Sequence, residues 1–98
     1  MNEKPLYGEI LDHVIECCDL LDVPLRVILS RTRTVPIPAK RHAIMISTRR
    51  KFSLSVKETG GLFSRDHSLI SFAEKRCKQM TQPAYIYLNL LNHRKTRS

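Results

Sequence analysis

The chain has 98 residues, a net charge of +8 and a hydrophobic fraction of 42%, with only three glycines and three cysteines. This length predicts a single domain, residues 1–98, and the composition is that of a globular protein and not of a disordered one. No apolar run is long enough to span a membrane, and the N-terminal residues lack the pattern of a signal peptide, so the sequence predicts a cytoplasmic protein.

The charges are divided unevenly along the chain. Residues 1–24 hold six acids and one base and carry −5, whereas residues 25–98 carry +13. A basic segment of this size is typical of nucleic-acid-binding proteins, although a solvated basic surface would also produce it. The acidic first segment is expected to face away from a phosphate backbone, where it offers a surface for a protein partner.

Two helices are predicted first. Apolar residues recur at three- and four-residue spacing from Leu6 to Leu21, which predicts an amphipathic helix that begins near Pro5. Asp22 precedes a short apolar stretch with Pro24 in its first turn. We therefore expect Asp22 to be the N-cap of a second helix that ends near Leu29.

An extended arm is predicted between the second and third helices. Residues 30–38 contain two prolines, alternating β-branched residues and two arginines, a combination that disfavours a helix. The third helix is expected to begin at Pro38 and to turn Ala43 and Ile46 inward. Its basic residues are expected on the exposed face: Lys40, Arg41, Arg49, Arg50 and Lys51.

A capping box begins the next predicted helix. Ser55 is followed three residues later by Glu58, the spacing at which the two residues cap each other. This fourth helix is expected to break at Gly60–Gly61 or soon after, and Ser64 is expected to cap a fifth helix. Helical spacing predicts a buried stripe on the fifth helix: Leu69, Phe72, Ala73, Cys77 and Met80.

The last predicted helix begins at Thr81 and Pro83 and covers residues 81–94, before a frayed tail at residues 95–98. Its two tyrosines, Tyr85 and Tyr87, are expected to pack in the core. Because strand-like runs and repeats are absent from the sequence, the predicted fold class is all-α, a compact bundle of about five to six helices containing a helix-turn-helix.

The three cysteines predict reduced thiols. Cys17 and Cys18 are adjacent and so point about 100° apart on a helix, and an odd number leaves one cysteine over. His13 and Cys17 share a helical face and, with Cys77, are the best candidates for a metal site, but the sequence has no CxxC pair. No metal or cofactor is expected.

The first turn of the fifth helix is polar although its later turns are apolar. It contains Arg65, Asp66, His67 and Ser68. In a helix-turn-helix the second helix enters the major groove with its N-terminal end first, so its leading residues must hydrogen-bond to base edges. A catalytic aspartate–histidine pair is the alternative, but the side chains of consecutive helical residues diverge, and we predict no enzyme activity.

The segment SVKETGGLFSRDHSLISFAEKRC, residues 55–77, resembles the C-terminal DNA-binding domain (domain IV) of the bacterial replication initiator DnaA, which has a Trp-repressor-like helix-turn-helix. The residues that fit the family signature are Glu58, Gly60, Phe63, Arg65, Asp66, His67 and Ser68. The segment VILSRTRTVPIPAKRHAIMI, residues 27–46, is similar to the arginine-rich arm of that family and the helix that follows it. The resemblance covers residues 6–80.

The sequence departs from the family pattern at several points. Ser64 stands alone where the family has a glycine pair, Leu69 replaces a threonine, and the KFSL segment is about one residue longer. The 98 residues contain no Walker motif. The chain is therefore not expected to hydrolyse ATP or to melt an origin.

The resemblance implies roles for individual residues. Arg33 matches the arm arginine that enters the minor groove, where a narrow A·T-rich tract attracts arginine. Asp66 can accept from cytosine, although it is also a good helix cap, and His67 can bond a purine or thymine edge. Ser68 keeps the hydroxyl of a family threonine without its methyl group. Phosphate contacts are expected from Arg31, Lys40, Arg41, Arg49, Arg50, Lys51, Lys57 and Arg65.

These features predict a protein that binds double-stranded DNA at a DnaA-box-like site, as a monomer and in association with the nucleoid, to regulate replication or transcription. The alternative is a protein-interaction or RNA-binding module on the same helical fold.

Overall fold

The structure is a computed structural model that describes residues 8–79 and 82–96. These residues contain six helices. They are α1 (Gly8–Leu20), α2 (Leu25–Leu29), α3 (Ile37–Lys51), α4 (Val56–Phe63), α5 (His67–Lys78) and α6 (Gln82–Thr96). No strand is present in these ranges, so the predicted all-α fold is confirmed. None of the helices described has both the length and the apolar character needed to cross a membrane.

Helix α3 lies at the centre of the fold and packs against every other helix. Residues 41–48 are all buried, so the middle of α3 is enclosed on every side. The sequence predicted an amphipathic α3 with Arg41 on its exposed face, and that prediction is wrong because Arg41 is only 6% exposed. A helix surrounded by five others has no solvent-facing stripe in its central turns.

An ion-pair network joins α3 to α5 and α6. The Arg49 and Arg50 guanidinium groups bind the two Glu74 carboxylate oxygens at 2.6 and 2.7 Å, and Arg50 also donates to the Tyr87 hydroxyl at 3.1 Å. Burial opposes ionisation of Glu74, but the hydrogen bonds and charges of Arg50 and Arg49 outweigh it and lower the pKa of this carboxyl. Arg49 and Arg50, two of the predicted phosphate contacts, are therefore already paired with a carboxylate of the same chain.

The helix ends agree with the sequence in one place and differ in two. The capping box is confirmed, because the Ser55 hydroxyl accepts from the Glu58 N–H at 3.0 Å and the Ser55 N–H donates to Glu58 Oε1 at 2.9 Å. Asp22 does not cap α2, since it has a φ of 55° and Pro24 occupies the N-cap position. Ser64 ends α4 in the left-handed region, and Asp66 is the N-cap of α5.

The buried face of α5 differs from the predicted stripe. Ala73 and Cys77 are buried as predicted, but Ile70 is buried as well and Phe72 is 48% exposed. A stripe with Ile70 and a stripe with Phe72 both have helical spacing, so the spacing alone does not decide between them. In α6, Tyr87 is buried as predicted, but Tyr85 is 51% exposed. The predictions for residues 5–7, 80, 81, 97 and 98 lie outside the described residues.

All three cysteines are free and buried. Burial and the neighbouring Cys17 raise the pKa of Cys18 to about 11, and burial raises the pKa of Cys77 to about 11. Cys17 Sγ lies 3.5 Å from His13 Nε2, while Cys77 Sγ lies 4.0 Å from the Pro83 carbonyl. Within residues 8–79 and 82–96, no three potential ligands are gathered as a metal site requires.

Native Cys18 and Cys77 are therefore expected to react with iodoacetamide at least about 100-fold more slowly than in the unfolded chain, because the thiolate is the nucleophile and both thiols are buried. Peptide mass spectrometry after timed alkylation measures each site. The same reaction in guanidinium chloride is the control. Labelling of Cys18 or Cys77 at equal rates in both conditions would contradict the burial of these thiols.

Candidate nucleic-acid interface

Helices α4 and α5 meet across a tight turn, residues 64–66. The turn passes so close to α4 that a Cβ atom at Gly60 would lie 2.5 Å from the Arg65 carbonyl oxygen. The Arg65 N–H donates to the Gly60 carbonyl at 2.8 Å, and the Arg65 guanidinium donates to the Phe63 carbonyl at 2.9 Å. Glycine at position 60 is therefore what allows the turn to bring α5 against α4.

Three exposed polar side chains lie at the N-terminal end of α5. Asp66 is the N-cap, and its carboxylate accepts from both the N–H and the hydroxyl of Ser68. These two hydrogen bonds, the hydroxyl first, lower the pKa of Asp66. The His67 side chain is 67% exposed, and its Nδ1 lies 3.9 Å from Asp66 Oδ1. Asp66 thus caps the helix, and His67 is an exposed side chain of the first turn that does not cap it.

The predicted arm is extended, with the Val35–Pro36 peptide bond in the cis form at its end. Its side chains alternate as in a strand: Ser30 and Thr32 are half-buried, and Arg31 and Arg33 are exposed. The Thr32 N–H donates to the Ser30 hydroxyl at 3.3 Å. The arm therefore presents two arginines outward while its polar residues satisfy one another.

Two further arginines hold the arm in place. The buried Arg41 donates from Nε to the Ile28 carbonyl at 2.7 Å and from Nη2 to the Thr32 carbonyl at 3.1 Å. Arg65 donates to the Ser30 carbonyl and so ties the arm to the turn before α5. Arg41 is removed from the predicted phosphate contacts, because it is buried against the backbone that it supports.

An open cleft of about 410 Å³ lies between the arm, α3 and the start of α5. It is lined by Arg31, Arg33, Pro38, Arg41, His42, Arg65 and Leu69. Four residues that the sequence selected separately are therefore brought together. His42 was missed, since an isolated histidine within a helix gives no signal for such a position.

The other basic candidates lie away from this cleft. Lys40 Nζ donates to the Leu21 carbonyl at 2.8 Å, and Lys57 is exposed in the first turn of α4. Lys51 lines a separate pocket with three acids of α1. These acids offset the positive charge of Lys51, which makes it a poor phosphate contact. The acids that line this pocket are Glu9, Asp12 and Glu16.

No protein-family model matches the sequence, and no curated protein matches it. The exposed first turn of α5, the arm and the cleft between them are therefore the features from which a function can be inferred.

Proposed function

We propose that the chain binds double-stranded DNA with a sequence preference, as a DnaA domain IV-like protein that regulates replication or transcription in the nucleoid. The proposal is supported chiefly by the contact between the arm and the start of α5, the helix that we propose to contact the bases. The Arg65–Ser30 hydrogen bond ties the arm to the turn from which the first turn of α5 projects. A minor-groove arm and a major-groove helix contact neighbouring parts of one site, so a hydrogen bond between them favours simultaneous contact.

In this proposal the N-terminal end of α5 enters the major groove. His67 bonds a base edge, and Asp66 accepts from a cytosine amine with the oxygen that does not cap the helix. The Ser68 hydroxyl already donates a hydrogen bond to Asp66. It therefore contributes less to sequence preference than His67 does. Arg33 enters the neighbouring minor groove, where an extended arm suits a narrow A·T-rich tract.

Phosphate contacts come from the exposed cations around these two parts. Arg31 and Lys57 are exposed, and Lys40 is half-buried. Arg49 and Arg50 are not counted among the contacts because both are ion-paired with Glu74. One domain is expected to bind one site as a monomer.

A competition experiment tests this function directly. A labelled duplex carrying a DnaA-box-like sequence is bound to the full chain, and unlabelled competitors are added. We expect the same duplex to displace it at lower concentration than random-sequence duplex, single-stranded DNA or double-stranded RNA. Equal competition by all four nucleic acids, or stronger competition by RNA, would contradict the proposal and favour an RNA-binding or protein-interaction module.

The salt dependence of duplex affinity is expected to be moderate. If three or four phosphates are neutralised, log affinity falls against log salt with a slope of about −2.7 to −3.6. Lys57→Gln is expected to flatten this slope by about one. Arg49→Gln is the matched control and should leave the slope unchanged, because Arg49 is paired with Glu74. A slope near zero for the unmodified chain would contradict the phosphate contacts.

A further inference from the structure

The cleft beside the arm, which we call the arm cleft, is lined by positive charges without any negative charge to balance them. Of the residues that line it, four are arginines and none is an acid. Arg41 and Arg65 already give N–H groups to backbone carbonyls, whereas Arg31 and Arg33 are exposed on the arm. The inner pair therefore supplies fixed charge, and the outer pair supplies side chains with N–H groups to donate.

These like charges oppose one another. Burial and the charge of Arg65 lower the pKa of Arg41, and burial and the charge of Arg31 lower the pKa of Arg65. Such shifts mean that the positive forms are less favourable here than in water. An anion in the cleft would reverse the effect, because it would attract every cation around it.

His42 adds a buried polar atom without a partner. The residue is 8% exposed, it lines the cleft, and its Nδ1 has no hydrogen-bond partner among the described residues. The ring packs edge-on against Phe72, with 6.0 Å between centroids. Burial and then the charges of Arg76, Arg41 and Arg65 lower the pKa of His42 to about 4, so the ring is neutral at pH 7. A buried nitrogen left without a partner is rare in a folded protein.

We propose that the arm cleft is a binding site for a phosphate group. Arg31 donates to the phosphate oxygens, and Arg33 does so too when it is not inserted in a minor groove, since planar guanidinium groups match these oxygens in pairs. Arg41 and Arg65 add positive charge on the inner side of the cleft, and the bound anion favours protonation of His42. The volume of about 410 Å³ accommodates a phosphate together with part of the molecule that carries it. A cluster of four arginines favours phosphate, with its higher charge, over a carboxylate.

The phosphate belongs either to the backbone of a bound duplex or to a small phosphorylated molecule. The chemistry of the cleft is the same in both cases. The inference requires only the cleft and stands whether or not α5 reads base sequence. It goes beyond the proposed function in assigning a discrete anion site with a buried histidine beside it.

Inorganic phosphate and pyrophosphate are the probes. Each is titrated into the full chain at constant ionic strength against chloride, while NMR follows the imidazole signals of His42. We expect a saturable change and a rise in the pKa of His42 from about 4 towards its ordinary value near 6.5. The Arg31→Gln/Arg33→Gln variant should bind at least about tenfold more weakly, because it loses the donating guanidinium groups.

The control variant is Lys51→Gln/Lys75→Gln, which removes the same two charges from exposed lysines outside the cleft. It should bind both probes with unchanged affinity. Equal weakening in the two variants, or a response that rises linearly with probe concentration and does not saturate, would mean non-specific ion binding and would overturn the site.

A duplex titration with the same NMR signal identifies the source of the phosphate. A His42 response to duplex but not to the two free anions assigns the site to the DNA backbone. A response to the free anions that duplex does not reproduce assigns it to a small molecule. No response to any of the three overturns the inference. Duplex preference, measured separately by fluorescence anisotropy, decides the proposed function independently of this result.

Discussion

Arg41→Met is expected to lower the free energy of unfolding by about 2–4 kcal/mol, the largest effect that we predict for a single charged residue here. Arg41 is 6% exposed and donates to the Ile28 and Thr32 carbonyls. Methionine fills most of the same volume but leaves these carbonyls without their donor, and an unsatisfied buried group costs about 1–3 kcal/mol. Removal of a buried charge next to Arg65 offsets part of the loss.

Urea denaturation monitored by circular dichroism measures this effect. Arg49→Met is the matched control on the same helix. Its side chain is 29% exposed, and Glu74 keeps Arg50 as a partner, so its loss should cost less than about 1 kcal/mol. Equal midpoints for Arg41→Met and the unmodified chain would show that Arg41 does not hold the arm.

The stability of the fold is expected to fall by roughly 3 kcal/mol as the pH drops from about 6.5 to about 4. The pKa of buried His42 is lowered to about 4 from an ordinary value of 6.5. The unfolded chain therefore binds a proton in this interval before the folded chain does, and each pH unit between the two values removes about 1.4 kcal/mol. Below the folded pKa both states are protonated, and the His42 contribution becomes constant.

His42→Leu isolates this contribution. Its unfolding free energy should change much less between pH 6.5 and 4 than that of the unmodified chain, in phosphate-free buffers so that the cleft is not filled. Glu74, whose pKa is lowered, adds stability that is lost only as the pH falls below its ordinary value near 4.5. The two windows are therefore separable. Parallel pH curves for the two proteins would contradict a neutral, buried His42.

Helix positions were predictable because their signals are local. The Ser55–Glu58 capping box needs only a spacing of three, and Pro36 and Pro38 allow a helix to begin beside them but not to run through them. The N-cap of α5 was misassigned because Ser64 and Asp66 are both good capping residues two positions apart. The choice between them depends on how closely the turn approaches Gly60, and a sequence does not reveal that distance.

The burial of Arg41 was not predictable for a different reason. An arginine within a basic stretch is normally solvated, and burial is favourable here only because carbonyls of Ile28 and Thr32 face it. The pairing of Arg49 and Arg50 with Glu74 likewise joins helices that are about two dozen residues apart in sequence. The candidate residues could be listed from the sequence, but their division into anchors, ion pairs and exposed cations required the fold.

The proposed base-reading role of α5 is tested most directly at His67. Asp66→Ala would also remove the N-cap of α5 and so confuse base reading with helix stability. The His67 side chain, at 67% exposure, has no such structural role in the described residues. Arg33→Ala should lose affinity mainly at the A·T-rich end of a site, where the arm would lie.

The most direct measurement is therefore a selection of bound sequences from a random duplex pool, followed by binding of His67→Ala to the best selected duplex and to a random one. We predict an enriched sequence, and a loss of about 1–3 kcal/mol for the selected duplex while affinity for the random duplex is unchanged. Failure to enrich any sequence, or an equal loss of affinity for both duplexes, would contradict a base-reading helix.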